Sequence, residues 1–167
     1  MTRQTILMAS LALLLAACGG PVTNPDSAAF VLPLGTRFVI NEPITVPPNT
    51  GHVTFQYGKP VAEGNLKGAD DFYPHCRIEI DDVAPEPRTI APGTWTLVRV
   101  QDFNELYSAP DQVLFRTYYT LRGDGQRKLT VVCAQRNDAW EFDYVTLPQM
   151  REALGKYVTI RLPDEKG

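Results

Sequence analysis

The sequence predicts a mainly β fold, an antiparallel sandwich or a partly open barrel, with one short helix at about residues 147–154 before the last strand. Three observations lead there. From Arg37 to Arg136 the apolar residues come in short alternating runs bounded by Pro, Gly and Asn, with no helical period. Gln112–Arg122 and Arg127–Arg136 flank Gly123-Asp124-Gly125, whose glycines supply the positive-φ positions of a tight hairpin, and these two runs are the longest expected strand pair. Helical signals enter only near residue 146.

Taken in order, the chain opens with Met1-Thr2-Arg3-Gln4, which carries one positive charge. Ile6–Leu15 follows as an apolar run interrupted only by Ser10. Its roughly ten residues are too few for a membrane-crossing helix, which needs about 20, and they fit the core of a signal peptide. Leu15-Ala16-Ala17-Cys18 comes next: a Leu, two small residues and a Cys. This stretch resembles the lipobox of bacterial lipoproteins. The resemblance implies that residues 1–17 are removed and that Cys18 becomes an acylated N-terminus. Two or more acyl chains hold a protein stably at a bilayer, where one holds it only marginally. It also implies a cell-envelope location, and Gly19 in place of Asp after the Cys leans towards the outer membrane, facing the periplasm. The expected membrane partner is therefore reached through lipid. Residues 18–30, with Gly19-Gly20-Pro21 and Asn24-Pro25-Asp26, read as a flexible tether, and residues 31–167 as a single β-rich domain.

Removal of residues 1–17 leaves about 150 residues, the size of one domain with a tether. Arg3 leaves with the leader, so 15 of the 16 basic residues remain against 19 acidic ones, a formal balance of −4. Mild acidity without a basic cluster argues against a nucleic-acid partner and against electrostatic membrane binding by the domain.

Within the domain, Arg37–Ile40 and Ile44–Val46 are short strand candidates, closed by the turn Pro47-Pro48-Asn49-Thr50-Gly51. His52–Gly58 is the cleanest alternation. Val53, Phe55 and Tyr57 share one face, and His52, Thr54 and Gln56 the other. Lys59-Pro60-Val61 is expected to extend this strand past a kink. Glu63–Pro74 reads as a long loop. In Cys76–Asp81, residues Cys76, Ile78 and Ile80 turn inward and Arg77, Glu79 and Asp81 outward. Pro85, Pro87, Pro92 and Gly93 make the following connection irregular, and Thr94–Val100 is rich in strand-favouring residues. Leu129, Val131 and Cys133 share a face. Thr146-Leu147-Pro148-Gln149 is a capping box with Pro in the first turn; Met150, Ala153 and Leu154 form an apolar stripe, and Gly155 ends the helix. Lys156–Leu162 reads as the last strand.

After Cys18 two cysteines remain, Cys76 and Cys133, and both fall on apolar faces. In an oxidising compartment such a pair reads as a disulfide. It closes a loop of about 58 residues, for which the chain-entropy estimate is roughly 4 kcal/mol.

The residues suggest no catalytic set. His52 and His75 do not have metal-ligand spacing, and no metal or other cofactor is expected. Ser27 and Ser108 lie outside any nucleophile-elbow pattern, and adjacent carboxylates such as Asp70-Asp71 and Asp81-Asp82 diverge on an extended chain. The stretch that stands out is Asp70-Asp71-Phe72-Tyr73-Pro74-His75-Cys76-Arg77, two aromatics and a rigid Pro beside the presumed disulfide. It is similar to segments of uncharacterised proteobacterial lipoproteins in which aromatic-Pro-x-Cys leads into a strand, and that resemblance implies no activity. Asp70, Asp71, Tyr73, His75 and Arg77 make it a candidate recognition surface, because aromatics offer contact area with little rotamer entropy lost; the bland alternative is that Phe72 and Tyr73 cover the end of the core. The expectation is a non-enzymatic domain that binds or scaffolds a periplasmic protein or cell-wall component. Two other readings are an inhibitor of a host hydrolase such as lysozyme, and a cell-wall glycan or peptide hydrolase using carboxylates with His52 or His75. Cys18→Ser is expected to give an unlipidated protein lost from the membrane fraction; unchanged fractionation overturns the anchor.

Overall fold

The computed structural model describes residues 21–62, 68–108, 111–123 and 128–165. The leader and Cys18 lie outside the described residues, as does the centre of the hairpin at Asp124-Gly125. The protein is built on one open, strongly curled antiparallel sheet, a half-barrel, so that of the two expected architectures the partly open barrel is realised. Its strands are β1 (Arg37–Ile40), β3 (His52–Gln56), β4 (Lys59–Pro60), β5 (His75–Ile80), β7 (Gly93–Ser108), β8 (Gln112–Gly123), β9 (Leu129–Asp138) and β10 (Val158–Arg161). They lie in the order β10-β1-β7-β8-β9-β5-β3-β4. A separate ribbon pairs β2 (Ile44–Val46) with β6 (Arg88–Ile90) and sends Ile44, Val46 and Ile90 into the same core.

The concave face of the sheet carries the core. Phe38, Ile40, Val53, Phe55, Ile78, Trp95, Leu97, Leu121, Val131 and Ile160 are all buried there. Cys76 and Cys133 sit directly opposite each other on β5 and β9, both fully buried on this face, and are joined by a disulfide. The inward alternation expected of both cysteines is what places them in register.

Helix α1 (Leu147–Leu154) forms as its local signals dictate. The Thr146 N–H donates to Gln149 Oε1 at 2.8 Å and the Gln149 N–H to Thr146 Oγ1 at 3.5 Å, the two halves of a capping box. The N–H of Leu147, which has no partner inside the helix, donates to the Pro25 carbonyl at 3.3 Å. Of the segment read as a tether, residues 21–30 are described; besides the Pro25 contact, Phe30 packs against the core. Leu147, Met150, Ala153 and Leu154 face the sheet, and α1 touches β10 on one side and β3 and β5 on the other. It therefore fills the gap between the two ends of the curled sheet. A 3-10 turn (Gly155–Tyr157) takes the first residues expected of the last strand, and the Tyr157 ring packs on Phe55 at 5.2 Å.

Four expectations need correction. Lys59-Pro60 does not extend β3; it folds back beside it, with Gln56 opposite Lys59, through a two-residue turn at Tyr57-Gly58. Both turn residues have positive φ, +53° and +73°, the type I′ pattern that matches strand twist. The Pro-rich connection holds β6, because Pro87 and Pro92 bracket the three paired residues without interrupting them. The longest pair is β7 with β8, since β7 runs on through Gln101–Ser108. A bulge between Leu97 and Arg99 switches its inward parity, so that Trp95 and Leu97 point inward before it and Val100 after it. The polar Asp102 and Asn104 are then accommodated by partners: Thr117 Oγ1 donates to Asp102 at 2.7 Å and the Tyr144 hydroxyl to Asn104. Finally, Tyr57 does not continue the inward face of Val53 and Phe55 but stands exposed in the turn; β9, beyond its inward alternation, is buried on both faces, with Val132 and Ala134 covered on the convex side.

The sheet ends are short. β4 has two residues, one of them Pro60, and β10 has four, so neither edge offers a long template for pairing with another chain.

Gly155 has φ +53° and ψ −138°, and a Cβ there would lie 2.5 Å from Gly58 Cα. Backbone strain and the clash act together, and Gly155→Ala is expected to cost about 3 kcal/mol, read as a fall in Tm of roughly 10 °C.

Candidate functional site

The site begins with Gln56, the last residue of β3. It points to the convex side but is only 6% exposed, because the chain at 70–73 lies over it. Its carboxamide makes three hydrogen bonds to that loop. Nε2 donates to the carbonyls of Asp70 at 2.9 Å and Tyr73 at 3.2 Å, and Oε1 accepts the Asp70 N–H at 2.9 Å. A buried amide held this way spares itself and the loop backbone the cost of unmade bonds. The loop tightens on itself as well: Asp70 Oδ1 accepts the Phe72 N–H at 3.0 Å, and the Asp70 carbonyl accepts the Tyr73 N–H at 3.0 Å. The Arg136 N–H donates to the Asp71 carbonyl at 2.6 Å, tying the loop to β9. Cys76, three residues beyond Tyr73, anchors the loop's far end through the disulfide.

This frame decides where each candidate residue goes. Phe72, 53% exposed, lies under the Arg136 guanidinium, 3.9 Å from ring centroid to Cζ. His75 Nδ1 lies 3.1 Å from the Tyr73 carbonyl and Nε2 lies 3.7 Å from Asp71 Oδ1. Both ring nitrogens therefore face the loop, and the imidazole works as a strut. Arg77 stands apart on the convex face, paired with Glu79 at 2.5 Å. Phe72 and Tyr73 do not close off the core; each is about half exposed.

Tyr73 meets a residue that the sequence pattern placed elsewhere. Tyr57 was expected to continue the inward alternation of Val53 and Phe55. It is the first turn residue instead, 58% exposed, with its ring 6.1 Å from that of Tyr73 at an interplanar angle of 56°. A bulky residue at positive φ is uncommon and costs of order 1 kcal/mol; Asn or Gly is the ordinary choice at this turn position. The turn itself is held fast, since the Gly58 N–H donates to the Ala153 carbonyl at 3.1 Å and Gly58 abuts Gly155. Between the turn, the loop and α1 lies a cleft of about 180 Å³, lined by Tyr57, Tyr73, Pro74, Gln149, Glu152 and Ala153. Partial burial, then Tyr73, Asp70 and Glu152, hold the Tyr57 hydroxyl above its ordinary pKa, so it stays protonated across the physiological range.

Two residues of this cleft, Tyr57 and Glu152, and Gln56 in the frame behind it are not legible in the sequence. Glu152 carried no signal. The dipeptide Tyr57-Gly58 before Lys59-Pro60 was a turn signal hidden by the alternation that precedes it. Gln56 was assigned to an open face, and only the returning loop buries it. The expected residues Asp70 and Tyr73 do come together, Asp71 pairs with His75, and Arg77 is separate.

A larger open depression of about 420 Å³ lies where β6 meets β5 and β9, over Ile80, Ile90, Trp95 and Leu129. Arg88 at its rim is tied to the Asp82 carboxylate and the Thr50 carbonyl. Among the described residues the buried Trp95 indole N–H has no partner. Among the described residues no group of three or more His, Cys, Asp or Glu is placed to hold a metal ion, and no helix is long and apolar enough to cross a membrane. Compared with family models, with curated proteins and with solved structures, the chain finds no match in any of the three.

Two substitutions separate frame from surface. Gln56→Ala removes three hydrogen bonds and leaves the Asp70 N–H without its acceptor, and is expected to cost about 2–3 kcal/mol. Tyr57→Asn relieves the positive-φ penalty while losing the ring contact, so stability is expected to stay within about 1 kcal/mol of the parent. Urea unfolding measures both; similar losses in the two variants would overturn the assignment of Tyr57 to the surface.

Proposed function

We propose that the chain is a lipid-anchored lipoprotein of the cell envelope, held by Cys18 at the outer membrane and facing the periplasm. In this reading its half-barrel is a non-enzymatic binding module that engages a periplasmic protein or cell-wall partner at the Tyr57–Tyr73 cleft. The single observation that carries the reading is the treatment of the two tyrosines. Each is half exposed, and Tyr57 occupies a backbone position that disfavours it, while every group behind them is fixed by hydrogen bonds, the glycine contact or the disulfide. Locally unfavourable choices held by a rigid surround mark functional surfaces, because stability alone would select against them. Aromatic side chains that are already immobile lose little entropy when a partner covers them. The lipobox resemblance supports the remainder: a fixed anchor, with the residues between Cys18 and the first tie to the domain at Pro25 as the spacer.

The test is site-specific photocrosslinking in intact cells. A photoreactive amino acid at Tyr73 is expected to give a discrete adduct that is lost in the Tyr57→Asn background. The same probe at exposed Thr89, on the far ribbon, is expected to give none. No adduct at residue 73, or the same adducts at both positions, overturns the proposed binding face.

A further inference from the structure

The shape and charge of the cleft narrow what it takes. The two tyrosine rings pack against each other tilted by 56°, so they offer no continuous flat platform. A stacked sugar ring needs such a platform; a cleft of about 180 Å³ between these rings and α1 has room for one slender side chain. The one charged residue that lines it, Glu152, is acidic. Glu152 lines the cleft and makes no ion pair or hydrogen bond among the described residues. Among the described residues the Asp70 carboxylate accepts only the Phe72 N–H, and the Asp70 backbone is held beside the cleft by the Tyr73 N–H and the Gln56 carboxamide. Among the described residues no basic group makes an ion pair with either carboxylate. Lys156 is engaged with Glu42 at 3.0 Å, Arg151 with Glu165 at 3.0 Å, and Lys59 makes no ion pair with either carboxylate. Aromatic faces and free carboxylates share one preference: both attract a cation, the faces through their negative quadrupole and the carboxylates through charge.

We propose that the Tyr57–Tyr73 cleft receives a single lysine or arginine side chain from a partner polypeptide, with the rings on its stem and Glu152 and Asp70 at its charged end. This rests on the reading of the domain as a binding module and adds the chemistry of the group that docks. The aliphatic stem of such a side chain covers apolar surface while its head stays near water, which suits a cleft that is aromatic within and acidic at its rim. The neutral, protonated Tyr57 hydroxyl adds an acceptor for the incoming N–H groups. Because the carboxylates are solvent-exposed, their part of the attraction is screened by salt.

The experiment titrates capped tripeptides centred on lysine, arginine or norleucine into the ¹⁵N-labelled full chain in non-ionic detergent, with chitotetraose as a separate probe. Expected are shifts confined to Tyr57, Tyr73 and residues 149–153 with the lysine or arginine peptide, weaker by at least fivefold for norleucine. Glu152→Gln, an exposed helix position that leaves the core untouched, and Tyr57→Asn are each expected to weaken the basic peptides by about fivefold. Raising the salt from 50 to 300 mM weakens them further. Equal binding of norleucine, shifts with chitotetraose in place of the peptides, or no shift at the cleft overturns the inference. A specific crosslink at residue 73 without basic-peptide binding overturns it while leaving the binding module standing. The absence of both removes the binding module with it.

Discussion

A half-barrel is an incomplete solution to the problem of burying one face of a sheet, and this protein depends on how the gap between its ends is filled. Eight strands curl far enough to bring β10 and β3 within reach of one helix, but not far enough to pair with each other. Helix α1 supplies the missing wall with four buried side chains, and it is too short to be stable without that packing. The closest approach is made by backbone. Gly155 at the helix end meets Gly58 in the β3–β4 turn at a distance that admits no side chain. The same contact brings the Tyr57 turn against α1, so the constraint that completes the core also builds one wall of the cleft.

The cleft inherits its rigidity from three independent ties. The helix holds the turn, the Gln56 carboxamide holds the loop, and the Cys76–Cys133 bridge holds the strand that the loop enters. Of these groups only Ala153 also lines the cleft, and it does so without a functional group of its own. Surface and frame are thus carried by different residues, and the surface is free to vary in chemistry while its shape is kept. That division is common where recognition side chains sit on loops positioned by a scaffold.

What could be read in the sequence was what is local. The helix was legible to the residue because its capping box, apolar stripe and terminal glycine all act within a few positions. The inward cysteines were legible because alternation fixes the face of a strand regardless of its neighbours. Legibility failed where a distant partner overrules composition. The second half of β7, with Gln101, Asp102, Asn104 and Glu105, reads as a poor strand, and it forms because β8 pairs with it and Thr117 answers Asp102. β6 was masked by its flanking prolines, and Gln56 looked solvated until the loop returned over it. For the cleft, Asp70 and Tyr73 could be named from composition, whereas Tyr57 and Glu152 are brought to them only by the folded backbone.

The register of the disulfide has a mechanical consequence. Cys76 and Cys133 are 57 residues apart in sequence and directly opposed in space, and the chain between them contains most of β5, all of β6, β7 and β8, and the start of β9. Tension applied between the two termini bypasses that segment through a single covalent bond. At about 3.3 Å per extended residue, roughly 190 Å of chain is withheld from stretching. The load falls on β1 to β4, the second half of β9 and β10, while the β7–β8 hairpin lies inside the closed loop and off the path of the force.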